Sequence, residues 1–473
     1  MLPCWKMGEG ESPREACGLF GVWAPGEDIS RLTYFGLFAL QHRGQESAGM
    51  AVSDGRNILV FRELGLVSQV FDEATLSTLQ GDLGIGHTRY STTGSTTWEN
   101  AQPAFKTDGS RGLALGHNGN LVNTAELAEE AGRRGRASTD SDLVATLMAE
   151  QIEDGLEEAA MAVLPRLVGA FSFVFMDERT VFAARDPFGL RPLAIGRLPG
   201  GFCFASETCA LDIVGATFVR EIEPGELVMV DDRGLRSRRF ADSPRRALCL
   251  FEFVYLARPD SLLYGKTVHQ ARRDMGLRLA REAPVDADLV IPVPDTGHSA
   301  AQGYAEAAGI PYGEGLMKNR YVGRTFIEPS QSVRERGVKL KLNPIPGAVR
   351  GKRVVAVDDS IVRGTTTRQI VQTLREAGAT AVHMRVTSPP IRWPCFYGID
   401  MSTRQELVAS DLSVDEVRAF IGADSLAYLS LDALVDATAS PDDQFCRACF
   451  DGRYPIPIPE RAGKFVLEQQ AGR

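Results

Sequence analysis

The chain has 473 residues, 44% hydrophobic and 24% charged, a balance typical of a soluble globular protein with room for two or three domains. A formal net charge of −9 argues against a nonspecific nucleic-acid or membrane surface, so neither is expected as a partner. No apolar run reaches the roughly 18 residues that span a bilayer. The opening MLPCWKMGEGESPREA (1–16) also lacks the apolar core of a secretory signal. The expected setting is therefore cytoplasmic, where Cys4, Cys17, Cys203, Cys209, Cys249, Cys395, Cys446 and Cys449 serve metals, catalysis or packing rather than disulfides.

Cys17 opens the apolar run CGLFGV, and short runs of the same kind follow it. GLFGVWA, SAGMAVSD, NILVFREL, LALGHNGNL, GAFSFVFMD, TVFAARD and GFCFASE read as strands up to about residue 240. SDLVATLMAEQIED carries Leu143, Val144, Leu147, Met148 and Ile152 at helical spacing. Blocks of strands with a few helices predict an α+β domain. ADSPRRA (241–247) reads as a linker.

A lone cysteine before an apolar run is usually core packing, so the motifs around it decide its reading. QHRGQESAGM (41–50), GHTRYSTTG (86–94), GHNGNL (116–121), STDSDL (138–143) and RDPFGLRPL (185–193) follow in that order. Arg89 suits a fork on an α-carboxylate, and Asp140 suits an ammonium group. Asn118 and the Gly119 N–H suit an oxyanion. A nucleophile, oxyanion donors and opposite charges for a zwitterion together describe hydrolysis of a glutamine side-chain amide. A thiol nucleophile needs a base. The α-amino group of Cys17 would serve, but only if residues 1–16 were removed. This set resembles the class II, N-terminal-nucleophile glutamine amidotransferases. The resemblance implies an αββα sandwich and a propeptide over 1–16 that contains Cys4.

After the linker the rhythm changes to strand, loop and helix. DLVIPV leads through PDTG into HSAAQGYAEAAG, and RVVAV leads through DDSIVRGTT into RQIVQTLREAGA and then AVHMRV. Near-continuous apolar strands alternating with helices predict a parallel sheet in an α/β domain. In VVAVDDSIVRGTTT (354–367), Asp358 and Asp359 close a strand, and a glycine- and threonine-containing loop enters a helix. Such a junction suits a phosphate, and the paired acids suit ribose hydroxyls or Mg²⁺. This string resembles the phosphoribosyl-pyrophosphate (PRPP) motif of the type I phosphoribosyltransferases. The resemblance implies that Asp358 and Asp359 hold the ribose hydroxyls with Mg²⁺ nearby. Ser360, Arg363, Gly364, Thr365 and Thr366 would cradle the 5′-phosphate. PVPDTG (292–297) resembles the pyrophosphate loop and places Thr296 near the metal. KNRYVGRTF (318–326) resembles the mobile loop of that family, with Lys318, Arg320 and Arg324 facing pyrophosphate.

Taken together, the halves resemble the glutamine-dependent amidophosphoribosyltransferases, which begin purine synthesis. The implied division is a propeptide 1–16, a glutaminase domain 17–245, a phosphoribosyltransferase domain 246–440 and a tail 441–473. The implied chemistry is a Cys17 thioester, ammonia channelled to PRPP, and 5-phosphoribosylamine and pyrophosphate as products. A homotetramer and feedback inhibition by purine nucleotides of the AMP and GMP type are implied as well. An ammonia-using enzyme with a sugar isomerase or ATP-dependent synthetase in its second half would not need VVAVDDSIVRGTTT. A ligand-sensing regulator would not need Cys17, Arg89, Asn118 and Asp140.

CRAC (446–449) can clamp a metal ion, and Cys249 and Cys395 lie far from it in sequence. On spacing alone zinc, a cluster and plain thiols all remain open. The Bacillus-like branch of the same family carries a [4Fe–4S] cluster in contexts like CLFEFVYLARPDS, PCFYGID and CRACFDGRYP. That resemblance implies Cys249, Cys395, Cys446 and Cys449 as ligands of a structural cluster. Cys203 and Cys209 are expected to be packing residues.

Overall fold

A computed structural model describes residues 17–90, 97–109, 111–130, 132, 139–319, 342–401, 403–441 and 444–459. The expected propeptide and the loop residues Arg320 and Arg324 lie outside the described residues. Among the described residues no helix is long and apolar enough to cross a membrane.

Strand Gly18–Trp23 sits inside a seven-stranded antiparallel sheet. The order is Thr217–Glu221, Ala194–Leu198, Gly201–Ala205, Gly18–Trp23, Leu83–Arg89, Ser47–Ser53, Ile58–Leu64. A six-stranded antiparallel sheet faces it, ordered Gly234–Arg239, Glu226–Asp231, Val181–Arg185, Gly169–Met176, Arg111–Leu121, Ala104–Asp108. Alternate residues of a strand point to opposite faces, and here both faces are apolar. Leu19 packs between the sheets with Ala114, Val174 and Phe204. Phe20 and Val22 point outward to a core shared with helices Ile29–Ala39 and Thr208–Ile213. On the second sheet Phe171, Phe173 and Phe175 point outward to helices Asp140–Ala149 and Leu156–Val163. The result is the αββα sandwich.

The second half holds four parallel strands in the order Leu289–Pro292, Arg353–Asp358, Ala381–Val386, Ser425–Tyr428. Val355 and Val357 pack toward helices Val268–Glu282 and Gly297–Ala308. Val354 and Ala356 pack toward helices Thr365–Glu376 and Val414–Ile421. This two-sided burial explains the continuous apolar run that precedes Asp358. It also places that aspartate at the carboxyl edge of the sheet.

The halves are joined at Leu248–Cys249, which pairs in parallel with Phe445–Cys446 and puts Cys249 opposite Cys446. A π-helical turn, Glu252–Leu256, follows. The buried Glu252 carboxylate accepts a fork from Arg43 at 3.0 and 2.9 Å and a third bond from Arg191 at 3.2 Å. Arg43 also donates to Glu207 at 2.6 Å. Glu207 in turn accepts from Ser261 Oγ at 2.6 Å and from the Arg258 N–H at 2.9 Å. Burial opposes ionisation of Glu207, but His42 and Arg43 outweigh it and hold the carboxyl well below the usual carboxylate range. Two cations thus meet two anions away from water, and breaking such a set leaves a buried charge uncompensated. Glu252→Ala, which leaves Arg191 without its carboxylate, should destabilise the protein by about 3–5 kcal/mol. Urea unfolding of the variant against the parent chain measures this.

Candidate active sites

Cys17 is buried at the start of its strand. Its carbonyl accepts from Arg43 Nε at 3.1 Å, and its Sγ is bracketed by the Tyr90 carbonyl at 3.4 Å and the Tyr90 N–H at 3.5 Å. Burial pushes the thiol up to about 11, against the N–H of Tyr90 and the charge of Arg89. Glu46 and Asp140 also act on it and raise it further. A thiol so placed is protonated at neutral pH and requires a base before it can attack.

Arg89 is buried at the last position of strand Leu83–Arg89, opposite Ser47. Asp140 begins helix Asp140–Ala149, capped by Thr139. Its carboxylate accepts from the N–H groups of Leu121 at 3.2 Å and Ser141 at 2.8 Å and lies 3.4 Å from His117 Nδ1. Burial opposes its ionisation, but His117 and those N–H groups prevail and hold it below the usual range. Gln102 completes this frame, donating to Ser141 Oγ at 3.0 Å and accepting from the His117 N–H at 2.9 Å. Asn118 is fully buried, and neither its Oδ1 nor its Nδ2 has a hydrogen-bond partner. A buried amide left unpaired costs about 1–3 kcal/mol, which suits a donor held ready for charge that forms only during a reaction. Gly119, at φ +149°, adopts a backbone reserved for glycine, and a Cβ there would lie 2.1 Å from the Ala170 carbonyl oxygen. The structure thus brings Cys17, Arg89 and Asp140 into one electrostatic neighbourhood, with Asn118 and Gly119 on the strand beside His117.

The second candidate site lies at the carboxyl edge of the parallel sheet. Asp358, Asp359 and Ser360 are all buried there. Ser360 Oγ donates to Asp359 at 2.6 Å, and Thr296 donates to the other oxygen of the same carboxylate. Burial raises both acids, and for Asp358 the adjacent Asp359 charge raises it further. The buried Arg272 opposes this at Asp359; it is itself pulled down to about 10 by burial and donates to the carbonyls of Phe253 at 2.9 Å and Ala257 at 2.8 Å. Two carboxylates disfavoured in this way suit a cation or hydroxyl donors between them. Gly364, at φ +78°, caps helix Thr365–Glu376, so Thr365 and Thr366 stand at its N-terminus. Arg363 lies 3.2 Å from Glu406. Lys318, ending strand Leu316–Lys318, pairs with Asp295 of the PVPDTG segment.

Cys249, Cys395, Cys446 and Cys449, remote in sequence, line one cavity together with Arg191 and Tyr397. All four are free thiols. Burial pushes Cys249 up to about 12, with Arg191 opposing, and raises Cys446 and Cys449 well above the ordinary range. Among the described residues no group of three or more His, Cys, Asp or Glu is placed to hold a metal ion. Cys203 and Cys209 sit in the helix–sheet core, apart from this cavity.

Sequence reading missed the supporting residues. Arg43 and Arg191 lie within QHRGQESAGM and RDPFGLRPL, but nothing local reveals that they share Glu252. Arg272, on an amphipathic helix, carried no signal beyond its charge.

A glutamine amidotransferase domain family matches residues 87–212. An amidophosphoribosyltransferase of Mycobacterium tuberculosis is 58% identical, covering 97% of this chain and 90% of that protein. A solved glutamine PRPP amidotransferase from B. subtilis, complexed with ADP and GMP, is 47% identical with a TM-score of 0.89, covering 95% of this chain and 100% of that one. A second structure, described as the allosteric regulatory enzyme of purine biosynthesis, matches at 48% identity and a TM-score of 0.90, covering 96% of this chain and 99% of its own. With a glutamine-directed half, a phosphoribosyl-directed half and this likeness along nearly its whole length, the chain belongs to the amidophosphoribosyltransferases, the enzymes of the first step of purine biosynthesis.

Proposed function

We propose that Cys17 is the nucleophile of the glutaminase half, in a domain spanning 17–245, and that Asp358 and Asp359 anchor PRPP in a domain spanning 246–440. The observation that carries this is a buried Cys17 thiol within the electrostatic reach of Arg89 and Asp140, in a domain that also buries an unpartnered Asn118 amide. Arg89 holds the glutamine α-carboxylate and Asp140 its ammonium group. Sulfur attacks the side-chain carbonyl carbon. Asn118 Nδ2 and the Gly119 N–H receive the oxyanion, ammonia leaves, and water cleaves the thioester to glutamate. A thiol pushed up to about 11 needs a base. Cleavage between Ala16 and Cys17 supplies one, an α-amino group with an ordinary pKa of about 7.7–8.0.

In the second half ammonia, kept from water along an internal path, displaces pyrophosphate from C1 of PRPP. Asp358 and Asp359 hold the ribose hydroxyls. The loop from Ser360 through Arg363, Gly364, Thr365 and Thr366 holds the 5′-phosphate at a helix N-terminus. Lys318 neutralises leaving pyrophosphate, as do Arg320 and Arg324. Mg²⁺ would be held by Asp358, Asp359 and Thr296 and would supply charge neutralisation to the phosphates. The buried, mutually repelling carboxylates fit such a cation.

The four thiols line one cavity and would be the ligands of a [4Fe–4S] cluster, for which four thiolates are the expected set. Such a cluster would cross-link the tail, 441–473, to both halves. Homotetramer formation, a cytoplasmic setting and inhibition by purine nucleotides of the AMP and GMP type complete the reading.

Cys17→Ala should abolish glutamine-dependent pyrophosphate release while leaving the ammonia-dependent reaction within about twofold of the parent. Retained glutamine use would overturn the nucleophile. Asp358→Asn combined with Asp359→Asn should lower both reactions by more than about a hundredfold, since PRPP chemistry is common to them. Protein purified without oxygen should contain iron and acid-labile sulfide in equal amounts, whereas zinc without sulfide would reject the cluster.

A further inference from the structure

A backbone segment from the other half of the chain packs against the buried Gly119. A Cβ built on Gly398 would lie 2.9 Å from the carbonyl carbon of Gly119, 2.9 Å from its oxygen and 3.1 Å from its Cα. All three are backbone atoms, so no side-chain movement could relieve the clash. Gly398 also has φ +101°, a conformation that side chains rarely adopt. A Cβ on Gly119 would itself meet the Ala170 carbonyl, so neither glycine of this contact can take a side chain without displacing backbone.

The segment carrying Gly398 is fastened to the first half at the two residues just before that contact. Asn120 Nδ2 donates to the Phe396 carbonyl at 2.9 Å. Arg191 donates to the Tyr397 carbonyl through Nε at 3.1 Å and Nη2 at 2.8 Å, while its Nη1 holds Glu252. The Tyr397 hydroxyl donates to the Ile456 carbonyl at 2.6 Å and anchors the segment to the tail.

We infer that Gly398 is a positioning residue for the glutaminase half-reaction: it sets the position of Gly119, and with it the oxyanion donors, from the phosphoribosyl half. The inference rests on the assignment of Asn118 and Gly119 as those donors. An oxyanion forms only in the transition state, so a displaced donor lowers kcat more than it raises KM. The contact is remote from Asp358 and Asp359 in role, so chemistry with free ammonia does not depend on it.

The test is Gly398→Ala in the full chain, read in four ways. Glutamine-dependent kcat should fall by about ten- to a hundredfold. KM for glutamine should stay within about threefold, and ammonia-dependent pyrophosphate release within about twofold. Alkylation of Cys17 by iodoacetamide, which needs no oxyanion, should proceed at the parent rate. An unchanged glutamine kcat overturns the inference. So does a parallel fall in the ammonia reaction, which would mean general damage, or a parallel fall in alkylation, which would place the fault at the thiol. Asn120→Ala removes the Phe396 bond without adding bulk and should lower glutamine kcat in the same direction with the ammonia reaction intact. If Gly398→Ala does not fold, an unchanged Asn120→Ala overturns the inference and a selective loss supports it. Glutamine use surviving Cys17→Ala would defeat the site assignment itself. An inactive Cys17→Ala beside a normal Gly398→Ala would defeat only the contact.

Discussion

Four buried charges govern how the halves meet. Arg43 and Arg191 come from the first half, Glu207 from the same half, and Glu252 from the turn that opens the second. None of them is tolerable alone in a medium of low dielectric constant. Together their charges balance, and each is hydrogen-bonded to another member of the set. One end of the set holds the Cys17 carbonyl, and the other holds the Tyr397 carbonyl beside the four-cysteine cavity. Docking, the placement of Cys17 and the cavity wall therefore depend on the same electrostatic balance.

The π-helical turn Glu252–Leu256 extends that balance to the second site. Its first residue supplies the carboxylate that Arg43 and Arg191 share, while the carbonyls of Phe253 and Ala257 hold Arg272. Arg272 then favours the charged form of Asp359. One short segment thus bears on the groups around Cys17 and on those around Asp359. Both sites also share a physical strategy. Each buries polar groups at a cost: the Asn118 amide lacks hydrogen-bond partners in one, and in the other burial and the Asp359 charge disfavour an ionised Asp358. Polar groups fixed in advance need no reorganisation when charge develops.

Much of this architecture was legible because the strands advertise burial on two faces. Leu19 and Phe20 alternate between two cores, as do Val354 and Val355. The strand-to-helix junction in DDSIVRGTTT was legible for a different reason: an apolar strand ending in acids, followed by glycine and helix-capping threonines, marks a sheet edge entering a helix N-terminus. Helix Ile29–Ala39 was harder to read. Phe35 and Phe38 on its outer side are 46% and 52% exposed, which blurs its amphipathic pattern. Cys249 and Cys395 could be joined to the CRAC pair only through family likeness, because their sequence separations carry no spacing rule.

The sequence by itself determined the two fold classes, the order of the halves and the residue types offered to each substrate. These follow from local periodicity and from short motifs whose members lie within one loop or one strand end. Only the tertiary structure decided which distant groups complete one another: Arg43 and Arg191 on Glu252, Gly398 against Gly119, and four cysteines around one space. The physical reason is that close backbone approach and charge neutralisation are properties of packed surfaces. A glycine needed because another backbone lies 2.9 Å from its absent Cβ looks, in sequence, like any other glycine.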